Sequence, residues 1–89
     1  MSRRRVYSEN TIGVMSRFYL AFDAVRENNR LRNVAKFCEA NGIDKRHLYA
    51  QRKDLGKGFF EVGWLVPLIR DYGVSSAWLL TGVGAMFNS

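Results

Sequence analysis

The chain has 89 residues, enough for one small domain and too few for two. Hydrophobic residues make up 47% and charged residues 25%, which excludes an unfolded polar chain, and a single cysteine and a single histidine exclude a disulfide framework and a multi-cysteine zinc site. The net charge is +6 and unevenly placed: residues 30–57 carry eight basic side chains against Glu39, Asp44 and Asp54, and Arg3, Arg4 and Arg5 form a second basic run. Such asymmetry points to a polyanionic partner, nucleic acid before membrane, with a solvated basic face as the alternative. No apolar run approaches the roughly 18 residues of a membrane span, and no leader-type apolar stretch follows the three arginines. A cytoplasmic, nucleoid-associated location is therefore expected.

Residues 1–9 lack periodic apolar positions and read as a flexible basic arm. Residues 10–89 form the domain. Over residues 10–29, Met15, Phe18, Tyr19, Phe22 and Val25 recur at spacings of three and four, which predicts a long amphipathic helix. Asn33 is placed to cap a short second helix that turns Val34, Phe37 and Cys38 inward, with Gly42 ending it and Ile43 supplying the apolar contact beyond. Asp44 caps a third helix over residues 45–54, anchored by Leu48. A glycine-containing loop follows. A fourth helix is predicted over residues 63–72, with Trp64, Leu65, Leu68 and Ile69 inward and Pro67 in its first turn, where backbone N–H groups lack helical partners. Ser75 caps a fifth, Ser76–Thr81, and Gly73 and Gly82 repeat the stop signal of Gly42. No alternating strand pattern competes, so the expected fold is all-α.

Residues 34–49 carry the most information: helix, glycine turn, helix. A helix-turn-helix needs a small residue where its helices touch, a residue tolerant of positive φ in the turn, an apolar residue directly after it, and an apolar pin in the second helix. Cys38, Gly42, Ile43 and Leu48 meet these needs. The opposite face of the third helix then carries Lys45, Arg46, Tyr49, Ala50, Arg52 and Lys53. A helix of about 10–12 Å diameter enters the major groove, and basic and aromatic groups on its outer face suit phosphate attachment and base-edge reading.

On these residues the chain resembles the phage-repressor-type helix-turn-helix domains (lambda repressor/Cro, xenobiotic-response-element-type), over about residues 10–87. The ending Tyr72-Gly73-Val74-Ser75-Ser76-Ala77-Trp78-Leu79-Leu80-Thr81-Gly82-Val83-Gly84-Ala85-Met86-Phe87 is similar to the Y-G-V-S-x-x-W-L-L-T-G-x-G-x-M-F tail of bacterial and prophage members. Two positions depart from the pattern. Cys38 replaces the more frequent Ala or Gly, and Asn41 stands where an apolar residue is usual, so that Ala40 is expected to fill its space. The resemblance implies a five-helix lambda-repressor-like bundle whose third helix lies in the major groove as the recognition helix. In that arrangement Lys45 and Arg46 reach base edges or adjacent phosphates, Tyr49 and Ala50 face the groove, and Ala50 meets a thymine methyl. Arg52, Lys53 and Lys57 touch phosphates, Arg32 and Asn33 offer charge and backbone N–H groups to another, and Arg3, Arg4 and Arg5 follow the duplex as an arm. The resemblance also implies a homodimer on paired half-sites, with Trp78, Leu79 and Phe87 as the candidate interface.

The function expected is sequence-specific binding of double-stranded DNA by a bacterial or prophage transcriptional regulator, a repressor. The alternative is a protein–protein interaction module on the same bundle. No catalytic carboxylate cluster, nucleophile–base pair or metal set stands in the sequence, so an enzyme is not expected. Nor are a metal, a cofactor or a small-molecule ligand; His47 reads as a surface histidine, and Trp64 and Trp78 as core.

Overall fold

Side-chain caps and left-handed turns divide the described residues into five α-helices. The computed structural model describes residues 6–88. Within them run α1 (Glu9–Glu27), α2 (Val34–Ala40), α3 (Lys45–Lys53), α4 (Leu65–Tyr72) and α5 (Ser76–Thr81), with a 3-10 turn, Val62–Trp64, leading into α4. The fold is all-α, and a β-bridge pairs Val74 with Phe87.

α1 is the central element. Its spacing of apolar residues works as the sequence suggests, burying Met15, Phe18, Tyr19, Ala21, Phe22 and Val25. It begins one residue earlier than predicted because the Ser8 hydroxyl accepts the Thr11 N–H at 3.2 Å, which takes Ser8 and Glu9 out of the expected arm. It stops at Glu27, two residues short, because Asn29 turns into the left-handed region (φ +58°), where asparagine is among the few side chains tolerated. The Phe18 ring is the aromatic centre. It meets Tyr19 edge-on at 4.9 Å, Phe60 at 5.7 Å and Trp64 at 6.0 Å, so the loop after α3 and the start of α4 close over α1.

The α2–α3 turn fixes the angle between the two helices that carry the basic segment. Asn33 Oδ1 accepts the Lys36 N–H at 3.0 Å, and Phe37 and Cys38 go inward. At the other end Gly42 takes φ +64°, and the Ile43 N–H then donates back to the Cys38 carbonyl at 2.9 Å. This six-to-one closure drops Ile43 into the core. Burial pushes the Cys38 thiol above its ordinary value, which keeps it a neutral packing group. Ala40 does not fill the place left by Asn41, as the sequence suggested. Ala40 is exposed, and the Asn41 amide donates to the Phe37 carbonyl at 2.8 Å while its oxygen accepts from Arg70 at 3.2 Å. A polar side chain thus ends α2 by satisfying a free carbonyl, which an apolar one does by packing.

α4 starts at Leu65 rather than at Gly63. Pro67 has no N–H to donate to the Gly63 carbonyl, so the α pattern cannot begin earlier and the preceding turn tightens to 3-10. The chain ends folded back on itself: the Ser75 N–H donates to the Met86 carbonyl at 2.8 Å and the Asn88 N–H to the Gly73 carbonyl at 2.9 Å. Arg17 of α1 donates through Nε to the Leu79 carbonyl at 2.8 Å, tying α5 to α1. Gly82 is favoured here by its φ of +78°, and an added Cβ would stand 3.2 Å from the Arg17 guanidinium, which would have to yield slightly. Leu79, expected at a dimer interface, is fully buried, and Trp78 and Phe87 are half-buried against the core. Leu79 therefore belongs to the core of the chain itself, and Trp78 and Phe87 pack against that core with part of their surface open.

Gly42 has open space around it, so substitution there tests backbone strain alone. Gly42→Val is expected to cost about 1–3 kcal/mol, read as a fall in melting temperature of several degrees; an unchanged melting curve would contradict the turn geometry.

Candidate nucleic-acid interface

α3 is nine residues long, and two buried side chains hold it. Leu48 and Gln51 are each fully buried on its inner face. The Leu48 carbonyl also accepts the Tyr19 hydroxyl at 2.6 Å, which ties the middle of α3 to α1. Burial drives the Tyr19 phenol far above its ordinary range, against a smaller opposing pull from the nearby Arg52 charge, so it stays protonated as a donor. Gln51 satisfies three groups at once. Its Nε2 donates to the Leu55 carbonyl at 2.9 Å and lies 3.3 Å from Met15 Sδ, while its Oε1 accepts the Phe59 N–H at 3.0 Å. A buried amide with both ends paired fixes the path of the loop after α3 as well as the depth of the helix.

The N-terminus of α3 is capped as expected: Asp44 Oδ1 accepts the Arg46 N–H at 2.9 Å. The Arg46 guanidinium lies over the same carboxylate, with Nη2 at 3.2 Å from Oδ2. Hydrogen bonding from Arg46 holds the Asp44 carboxyl below its ordinary value. The Arg46 side chain is nonetheless 89% exposed, and an ion pair that open is worth little in water, so the guanidinium can leave it for another partner. His47 is not simply a surface group. Its ring stacks on Phe59 at 4.2 Å, nearly parallel, with Nε2 3.8 Å from Asp44 Oδ2.

With the inner face fixed, the outer face follows. Lys45, Arg46, Tyr49, Ala50 and Lys53 together line one open groove of about 540 Å³. Their positions recur as one stripe along the helix, and Lys45, Arg46 and Lys53 are exposed. Five of the predicted residues are therefore brought together. Arg52 is not part of that stripe. Its Nη1 donates to Asp23 Oδ1 at 2.7 Å, its Nη2 to Asp23 Oδ2, and its guanidinium lies 5.6 Å from the Tyr19 ring centre. Arg52 stands one turn after the inward Leu48, on the flank of the stripe beside α1, and Asp23 of α1 draws it away from the groove.

The other expected residues stand apart from the stripe. Arg32 donates through Nε to the Asn29 carbonyl at 3.1 Å and lines a separate depression with Asp23, Arg26 and Glu27. The Asn33 oxygen is occupied by its cap. Lys57 lies in the loop after α3, where its carbonyl accepts the Tyr7 hydroxyl at 3.3 Å, so the segment preceding α1 runs beside that loop. Arg3, Arg4 and Arg5 lie outside the described residues. Asp23, Tyr19 and Gln51 support the site without having been expected there. Gln51 alone left a trace in the sequence, three positions after Leu48 on the face that turns inward. Among the described residues no cluster of His, Cys, Asp and Glu is arranged to hold a metal ion, and no helix is long and apolar enough to cross a membrane. Comparison of the chain with protein-family models, with curated proteins and with solved structures returned no match.

Two outcomes are expected. Gln51→Leu keeps the volume but strands the Phe59 N–H and the Leu55 carbonyl, and should cost about 2 kcal/mol in chemical denaturation. Asp44 has a lower pKa folded than unfolded, so its contribution is present above the ordinary carboxylate value of 3.8 and disappears as the pH falls below it through the depressed folded value. Asp44→Asn retains an oxygen for the Arg46 N–H. Its stability, followed by thermal melts over that acid range, should fall less steeply than that of the parent.

Proposed function

We propose that this chain binds double-stranded DNA by laying α3 in the major groove, and that it acts as a sequence-specific transcriptional regulator, a repressor of bacterial or prophage type. The observation that carries this is the single stripe of Lys45, Arg46, Tyr49, Ala50 and Lys53 on the outer face of a helix whose inner face is locked by Leu48 and Gln51. A rigid helix with cations at both ends of an otherwise apolar face suits a groove walled by phosphates and floored by base edges. In this arrangement Lys53 and Lys57 meet phosphates, Arg32 meets one further along the backbone, and Arg46 exchanges Asp44 for a base edge. Arg52 serves by holding α3 against α1. The resemblance of the turn and of the tail to phage-repressor-type domains supports the same reading. It further supports a second copy on an adjacent half-site, since one short helix makes few contacts and paired half-sites multiply affinity. Catalysis, a cofactor and a small-molecule ligand have no part in it, and the proposed location is the bacterial nucleoid.

The test is binding of a labelled random-sequence duplex over a range of salt concentrations. Affinity should fall linearly on a double-logarithmic plot, by roughly 0.9 in slope for each phosphate engaged. Lys53→Ala should lower that slope by about 1 on every sequence. Arg46→Ala should cost about 1–3 kcal/mol at a selected site and much less on random DNA. Absent or salt-insensitive binding would favour a protein-interaction module instead.

A further inference from the structure

Which bases this helix recognises depends on which hydrogen-bonding groups its outer face has kept. In the major groove adenine presents an acceptor beside a donor, and its usual partner is a side chain carrying both, asparagine or glutamine. Guanine presents two acceptors side by side, which suit a cation, and thymine presents a methyl group beside its acceptor. The amides, carboxylate and imidazole near α3 are all engaged within the fold. Gln51 is buried with both polar atoms paired, and Asn41 is held between the Phe37 carbonyl and Arg70. His47 is stacked on Phe59, and the Asp44 carboxylate accepts the Arg46 N–H and carries acceptors only, so it cannot supply the donor and acceptor together even once the Arg46 guanidinium leaves it. What lines the groove is donor-only at Lys45, Arg46 and Lys53, and apolar at Ala50 and the ring of Tyr49, whose hydroxyl is the one neutral polar group among them.

From this we infer that α3 reads guanine and thymine and has no side chain for paired recognition of adenine. The inference rests on the DNA-binding reading above and adds its base code. Arg46 takes the N7 and O6 acceptors of a guanine. The methyl of Ala50, beside the Tyr49 ring, takes the methyl of a thymine, and adenine is specified only through the thymine paired with it. Arg46 and Ala50 are four residues apart, about 6 Å along the helix, against about 3.4 Å for one base-pair step. The two recognised bases therefore lie one to two base pairs apart. Ala50 is the specificity-determining residue of this code, because any larger polar side chain there would supply the missing hydrogen-bonding pair or fill the place of the methyl.

The experiment is selection from a random duplex pool with the full chain. The selected duplex is then resynthesised with single thymines replaced by deoxyuridine, which removes only the methyl, and single guanines by 7-deazaguanine, which removes only the N7 acceptor. One thymine is expected at which the uracil form binds roughly 3- to 5-fold more weakly, the worth of one buried methyl. One or two base pairs away, one guanine is expected at which the deaza form binds at least roughly fivefold more weakly. In Ala50→Gly the thymine and uracil duplexes should bind alike, with a melting curve confirming that the variant is folded. A wild-type protein that binds the selected duplex but distinguishes thymine from uracil nowhere overturns the inference and leaves DNA binding standing. So does retained discrimination in folded Ala50→Gly. Failure to bind any duplex overturns both. The wild-type comparison decides even if the glycine variant does not fold.

Discussion

The fold of the basic segment depends on how deeply α3 is seated. A helix of nine residues does not persist by itself in water, because nucleation costs more than so few hydrogen bonds return. It exists here because Leu48 enters the core and Gln51, beside it, takes over hydrogen bonds that the loop backbone would otherwise lack. Tyr19 adds a bond from the central helix to the Leu48 carbonyl. These three contacts set the depth and rotation of α3 together. A change in any one of them turns the outer stripe relative to the rest of the molecule, which is why a buried amide far from any ligand matters to what the surface presents.

The same seating sorts the positive charges. Fourteen lysines and arginines look alike in a sequence, but the fold gives them different work. Arg17 closes the end of α5, Arg30 lies against the Tyr72 ring with a bond to its carbonyl, and Arg52 is clamped to Asp23 over Tyr19. An arginine between an aromatic face and a carboxylate acts as a structural bracket, and removing it loses packing along with charge. Lys45, Arg46 and Lys53 keep their heads in solvent. Their field is steered by position, at the two ends of a face whose middle is small and apolar. Such an arrangement attracts a polyanion while leaving room for close approach at the centre.

The carboxyl-terminal segment shows how a chain of this size closes its core. α5 is too short to shield the apolar side of α1 alone, so the residues after it return along Gly73–Ser75 and bring Met86 and Phe87 against the same cluster. Leu79, offered in the sequence as part of a candidate interface, is consumed in this closure. At that end Leu80 and Val83 stay exposed, while Trp78 and Phe87 are half-buried.

By itself the sequence determined the local structure. Caps at Asn33, Asp44 and Ser75, the glycine at 42, and the spacing of apolar residues in α1 are interactions between near neighbours, so their signal survives without knowledge of the fold. It likewise placed Lys45, Arg46, Tyr49, Ala50 and Lys53 on one helical face, since that follows from the period of the helix, but it put Arg52 with them, which the structure turns to Asp23 and Tyr19. Tertiary structure decided the rest. Asp23 and Arg52 are 29 positions apart, Tyr19 and Leu48 are likewise 29, and no periodicity links them. Whether a cation is a bracket or a free contact, whether Leu79 is surface or core, and where Gln51 finds its partners depend on which elements come to rest against one another. Hydrophobic burial settles that for the whole chain at once, and no single stretch of sequence carries it.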